Sequence, residues 1–224
     1  MAVLLVVVMF LLILLAEYLV GRAGQQVPVA VPVRPHLANQ PRLIPGIVGG
    51  FAFADNVRYH PGHTWALSES PELVRIGMDD FAGRVIGRID KLTLPKPGTW
   101  VRQGQPLIRV RRDERAATLA SPIEGVVLKV NPQISNDPDL VRRDPYGDGW
   151  LLTVQAPDAK TSLRNLFGGA LARSWLDEAS RRLRTMMPTP MPALAQDGGL
   201  VVEDLGEQLT ERWDDVTREF FLMD

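Results

Sequence analysis

Cysteine is absent from this 224-residue chain, and only four of its 25 basic residues are lysine: Lys91, Lys96, Lys129 and Lys160. The first absence excludes disulfides, thiolate nucleophiles and cysteine-built zinc sites, and it leaves the redox compartment open. The second restricts where a lysine-linked cofactor can be attached. An excess of charge is missing too. The net charge is −1 and there is no basic stripe with interleaved aromatics, so nothing draws nucleic acid, which is not an expected partner. The three histidines, His36, His60 and His63, have no nucleophile motif beside them, and the glycine pairs at 49–50, 168–169 and 198–199 lack phosphate-loop spacing. No catalytic residue, metal site or resident cofactor is expected, and the chain does not read as an enzyme.

What is present begins with a long apolar run. Residues 2–20, AVLLVVVMFLLILLAEYLV, are apolar apart from Glu17 near one end. At roughly 1.5 Å per residue they reach about 28 Å, close to the thickness of a bilayer core. No lysine or arginine precedes the run, as a cleaved signal peptide would require. The pattern predicts a transmembrane helix over 1–21, with the lipid bilayer as a partner. Arg22, Arg34 and Arg42 all follow it, so the positive-inside tendency puts the N-terminus outside and the C-terminal body in the cytoplasm, as on a bacterial inner membrane. Glu17 and Tyr18 suit the interface, and Glu17 also suits a contact with a partner helix.

Residues 22–58 read as an extended linker, with prolines at 28, 32, 35, 41 and 45 and the glycine-rich GIVGG. Over 59–158 the pattern changes to short β-branched segments: TWALS, LVRIG, VIGRIDKLTL, PLIRVR, ATLAS, GVVLKV and WLLTVQ. Proline and glycine breakers separate them. This predicts an antiparallel β domain, with one helical turn at DDFAGRV. Asp79 and Asp80 are expected to cap that turn, and His60 and His63 to be structural. Over 159–224 the period becomes helical. Leu163, Leu166, Leu171, Trp175, Ala179, Leu183 and Met186 form one apolar stripe that PTPMP ends, and Leu205, Leu209, Trp213, Val216 and Phe220 form a second.

The β segment resembles the H protein of the glycine cleavage system. YHPGHTW (59–65) is similar to the family's opening signature. IGMDDFAGRVIGRI, LPKPGTWVRQGQPLIRV, SPIEGVVLKVN and NDPDLVRRDPYGDGWLLTV then follow in the family's order without a large gap. The resemblance implies a mainly β barrel-sandwich hybrid, shared with lipoyl carrier domains, bearing here an N-terminal transmembrane helix and C-terminal amphipathic helices. In the family a lysine at a hairpin tip carries lipoate. Counting back from Ser121-Pro122, that position falls on Glu114, or on Arg115 with a one-residue slip. Neither forms the lipoyl amide, since a carboxylate has no amine and guanidinium stays protonated. The family's His-Glu-Trp is also altered, to His63-Thr64-Trp65.

The mixed-charge hairpin RVRRDER (109–115) is then either a solvated tip or an ionic contact surface, for a partner protein or for anionic headgroups. Arg109, Arg111, Arg112 and Arg115, with Trp175, Trp213 and Phe220 on the C-terminal helices, are the candidate partner contacts. These readings describe a non-catalytic accessory subunit that docks on other integral-membrane subunits. Its plan is similar in layout, not in sequence, to that of the H subunit of photosynthetic reaction centres. A membrane-tethered lipoyl carrier and a decoy of lipoate-dependent enzymes are the alternatives.

Overall fold

A computed structural model describes residues 45–187 and 205–221, together with Met9. The apolar run 2–20 apart from Met9, the proline-rich stretch 22–44 and the PTPMP break lie outside the described residues. Among those described, no helix is long and apolar enough to cross a membrane.

The fold starts earlier than the expected boundary at residue 59. Strands β1 (Gly46–Val48) and β2 (Phe51–Phe53) pair antiparallel across Gly49-Gly50. The sequence reads as part of an extended linker there because of its prolines and glycines. Both have positive φ (59° and 95°), the conformation that a two-residue hairpin turn requires. Phe51 and Phe53 are fully buried. Two tyrosines fasten the hairpin: the Tyr59 hydroxyl accepts from Ala54 N–H at 2.8 Å, and the Tyr146 hydroxyl donates to the Ala52 carbonyl at 3.0 Å. Burial pushes both phenols above their ordinary pKa.

After the hairpin come β3 (Arg58–Tyr59), β4 (Thr64–Ser68), β5 (Leu73–Met78), helix α1 (Asp80–Ile86), β6 (Lys91–Thr93), β7 (Trp100–Val101), β8 (Pro106–Arg112), β9 (Arg115–Ala120) and β10 (Gly125–Val130). Two short helices, α2 (Pro132–Asn136) and α3 (Leu140–Arg143), lead to β11 (Leu152–Gln155). One sheet runs in the order β3-β4-β5-β11-β10-β7 and a second in the order β6-β8-β9, all pairs antiparallel. Alternation decides which face turns inward: Val74, Ile76, Ile108, Val110, Ala117, Leu119, Val127 and Val154 are buried. One expected strand is part helix. Val85 and Ile86 of VIGRIDKLTL close α1, which starts where Asp79 caps it by accepting from Ala82 N–H at 2.8 Å.

The C-terminal stripe is broken where one helix was expected. Helix α4 (Ala159–Arg164) stops, Phe167 pairs with Tyr59 through two backbone hydrogen bonds of 2.8 Å, and α5 (Gly169–Met186) then begins. Helix α6 (Leu205–Gln208), a 3₁₀ turn (Thr210–Arg212) and α7 (Trp213–Phe221) follow. Leu205, Leu209, Trp213, Val216 and Phe220 are all buried, and α7 packs on α1, β9 and α5.

Candidate functional site

The hairpin of β8 and β9 turns in two residues, Asp113 and Glu114, between the paired Arg112 and Arg115. So tight a connection needs positive φ. Asp113 takes it (φ 51°), which aspartate tolerates better than most residues, and its N–H donates to Asp90 Oδ2 at 2.8 Å. Glu114 is exposed at the tip, a position compatible with a modifiable side chain. It carries a carboxylate.

Both arginines flanking the tip are held by the chain itself. Arg112 Nη1 donates to the Ile86 carbonyl at 3.0 Å. Its guanidinium lies in a slot between Gly87 and Gly206, where a Cβ on either would come closer than 3.0 Å to it. The Arg115 guanidinium lies 5.9 Å from the centroid of the Trp213 ring. A groove of about 340 Å³ runs between β9 and α7, lined by Arg109, Ala116, Thr118, Asp214, Thr217 and Arg218 among others.

Behind the hairpin lies a buried aromatic cluster centred on His63, which is 1% exposed and has φ 60°. Its ring stacks on Phe81 at 4.1 Å, tilts against Trp175 at 4.7 Å and meets Phe220 and Phe221 edge-on. Nδ1 lies 2.8 Å from Asp79 Oδ2, so one carboxylate both caps α1 and orients the imidazole. His60 accepts at Nδ1 from Gly62 N–H at 3.0 Å, which requires that nitrogen to be unprotonated. Asp80 accepts from Ala52 N–H and from Arg84 Nε, both at 2.8 Å, and burial raises its pKa despite Arg84. His60 and His63 are joined to the fold by these contacts. Among the described residues no group of three metal-ligating side chains comes together.

The His60 hydrogen bond gives an expected pH dependence. Burial, assisted by the proximity of His63, lowers its pKa from 6.5 to about 4. The unfolded chain therefore binds more protons between those values, and stability is lost as pH falls from about 6.5 to about 4. His60 keeps partial solvent contact, which limits the loss to about 1–2 kcal/mol. Asp80 works in the opposite sense: its raised pKa favours the protonated fold and adds stability as pH falls through it. Denaturant midpoints at pH 7 and 4.5 for wild type and His60→Gln separate the two. A His60→Gln chain that keeps the wild-type decline would exclude His60 as its source.

The expected contact residues divide into two groups. Arg109 and Arg111 point outward and are exposed, while Arg112 and Arg115 are half-buried. Trp213 and Phe220, candidates for a partner contact on helices whose apolar stripe fits their own chain as well as another, are 2% and 4% exposed, buried against α1, β9 and α5 of their own chain. Trp175 is half-buried against Tyr59, His63 and Phe167. The physical reason is that the β domain leaves Phe81, Ala117 and His63 on a face that two amphipathic helices can cover. Lys91 and Thr93 were not among the candidates, yet β6 brings them beside Arg111 and Arg109. The exposed–apolar–exposed alternation of Lys91-Leu92-Thr93 is the signal that would have found them.

Comparison with known proteins identifies relatives of this chain. The profile of the family described as "Glycine cleavage H-protein" matches residues 57–178. A "Probable glycine cleavage system H protein 2" of Sulfurisphaera tokodaii is 34% identical over 114 residues, covering 51% of this chain and 76% of that protein. The glycine cleavage system H protein of Mycobacterium avium is 35% identical over 104 residues, covering 46% and 79%. The crystal structure of a glycine cleavage system H protein from Mycobacterium marinum superposes with a TM-score of 0.44 at 27% identity, covering 48% of this chain and 88% of that one. The chain belongs to the glycine cleavage H-protein family.

Proposed function

We propose that this chain is a non-lipoylated, non-catalytic member of its family, held in a membrane by residues 1–21 and docked as an accessory subunit on a membrane complex. The carrying observation is the hairpin tip. Lipoate attaches through an amide to a lysine Nζ, and the tip offers Asp113 and Glu114. No lysine lies between Lys96 and Lys129. The lysines that exist are poorly built for a swinging arm. Lys129 is in mid-strand with its Nζ 5.6 Å from the Trp150 ring, Lys91 is in a paired strand, Lys96 stands between two prolines, and Lys160 is in α4. The arginines on either side of the tip are engaged by Ile86 and Trp213, so the turn is fastened where a modifying enzyme would have to grip it.

The test is to isolate the native chain from membranes and incubate it with a lipoate ligase, lipoate and ATP. The expected mass is that of the bare polypeptide, before and after. The chain should stay with the membrane through alkaline carbonate washing and co-purify in mild detergent with a stoichiometric integral-membrane partner. A lipoyl group on any lysine would overturn the reading in favour of a tethered carrier. Co-purification with soluble lipoate-dependent enzymes alone would turn it toward a decoy.

A further inference from the structure

The outer face of the smaller sheet carries a cationic array that its own fold leaves unneutralised. In the register of β6, β8 and β9, Lys91 stands opposite Arg111, which stands opposite Ala116; Thr93 stands opposite Arg109, which stands opposite Thr118. The alternate residues Leu92, Val110, Ala117 and Leu119 turn toward the core, so these two rows form one exposed surface. Like charges directly opposite each other across strands destabilise a sheet. Among the described residues neither Lys91, Arg109 nor Arg111 lies within 4.0 Å of a carboxylate. Nearby acids are otherwise engaged or set apart: Asp90 meets Arg88 at 3.4 Å and the Asp113 N–H, Asp113 and Glu114 occupy the tip, and Asp214 lies across the groove from Arg109. A local arrangement that costs stability calls for an anionic counterpart outside the fold.

The surface also indicates which anion. The large apolar side chains left exposed among the described residues, Met9, Ile47, Trp100, Leu128 and Leu171, are not on these strands. A protein interface of useful affinity is anchored by desolvated aromatic or aliphatic side chains, and this face has none. A layer of acidic headgroups needs only charge. The stretch 18–54 contains no aspartate or glutamate and includes Arg22, Arg34 and Arg42, so the linker has no carboxylate with which to neutralise the array. At the polyproline II rise of about 3.1 Å per residue the 24 residues of 21–44 would reach about 75 Å, which keeps the domain near any bilayer that holds residues 2–20 and makes docking intramolecular.

We infer that the Lys91–Arg109–Arg111 face docks on the acidic headgroups of the membrane in which the chain is anchored. The inference rests on the anchoring proposed above, and the experiment separates the two. Because the chain lacks cysteine, Thr93→Cys gives a single site for an environment-sensitive fluorophore at the centre of the face, and Ser70→Cys gives a control in the β4–β5 turn. Full-length labelled protein is reconstituted in nanodiscs of neutral lipid or with about a third phosphatidylserine. Retention after carbonate washing of parallel liposomes reports anchoring.

The label at position 93 should respond to headgroup quenchers in the acidic discs only, the response should vanish near 0.5 M salt, and the label at 70 should not respond. Arg109→Glu with Arg111→Glu removes two cations, each contributing about fivefold to docking, so the equilibrium should shift by at least about 25-fold while anchoring is retained. Their side chains are exposed, and the new carboxylate at 111 faces Lys91 while that at 109 faces Thr93, so the fold should persist, as near-UV circular dichroism would show. An anchored chain whose label ignores lipid charge overturns the docking inference alone. So does a label that responds to added oligonucleotide or to a partner protein but not to acidic lipid. A chain stripped by carbonate whose label still responds to acidic vesicles overturns the anchor and leaves the docking face standing.

Discussion

Gly77→Ala is expected to destabilise the fold by about 3–5 kcal/mol, lowering the thermal midpoint by roughly 6–20 °C. Gly77 on β5 stands directly opposite Trp65 on β4, and the fully buried indole lies flat across the glycine. A Cβ there would come closer than 3.0 Å to three atoms of that ring. The ring cannot retreat, because its Nε1 donates to the carbonyls of Met78 at 3.0 Å and Pro145 at 3.1 Å, which joins the strand pair to the turn before β11. Making room for one methyl means moving the largest buried side chain off both acceptors, so the cost approaches that of deleting the tryptophan and exceeds ordinary overpacking. Gly46→Ala is the matched control. Its nearest heavy atom, the Phe53 carbonyl oxygen, is 4.0 Å away, and the change should stay within about 0.5 kcal/mol. In a double-mutant cycle, Trp65→Phe should recover much of the Gly77→Ala penalty. Additive losses would mean the indole is not what the methyl displaces.

This pairing shows how much of the molecule the sequence expresses and where it falls silent. TWALS and LVRIG are legible as strands from β-branched content and length, and they pair as β4 and β5. GVVLKV is β10 without a residue's difference, and Asp79 caps its helix because aspartate before an apolar run offers an acceptor to free N–H groups. Other parts were hidden for definite reasons. GIVGG looks like a linker because glycine is frequent in linkers, yet the same property makes it a two-residue hairpin turn that buries Phe51 and Phe53. Position 114 can be located at a hairpin tip by counting from Ser121-Pro122, since strand register preserves spacing. The engagement of Arg112 by Ile86 and Gly206 cannot be found that way, because it joins residues far apart in the chain. Amphipathic spacing in 205–221 establishes that a helix needs an apolar surface. It does not say whose, and here the surface belongs to the same chain.

Trp213→Ala tests that last point, with an expected loss of about 3–5 kcal/mol and an opening of the hairpin. Trp213 is 2% exposed, stands at the start of α7 and supports the Arg115 guanidinium. Its Nε1 is buried with no hydrogen-bond partner. An indole whose N–H has no partner in the fold contributes through apolar contact and through its ring face toward Arg115, so Trp213→Phe, which removes the orphan donor and keeps an aromatic face, should cost less than about 1.5 kcal/mol. The rest of α7 is fastened by Phe220, whose ring meets Phe81 at 4.9 Å and lies under Arg182, and by the Arg182–Glu219 ion pair to α5. With Trp213 truncated, Arg115 loses its aromatic support and the outer strand β9 loses part of its cover. Trypsin should then cut the hairpin at its arginines, where the wild-type chain resists, and the exposed strand edge should make the variant associate as its concentration rises. If instead Trp213→Ala melts with the wild type and its hairpin resists trypsin equally, the helices are peripheral and their apolar stripe is free to meet another chain.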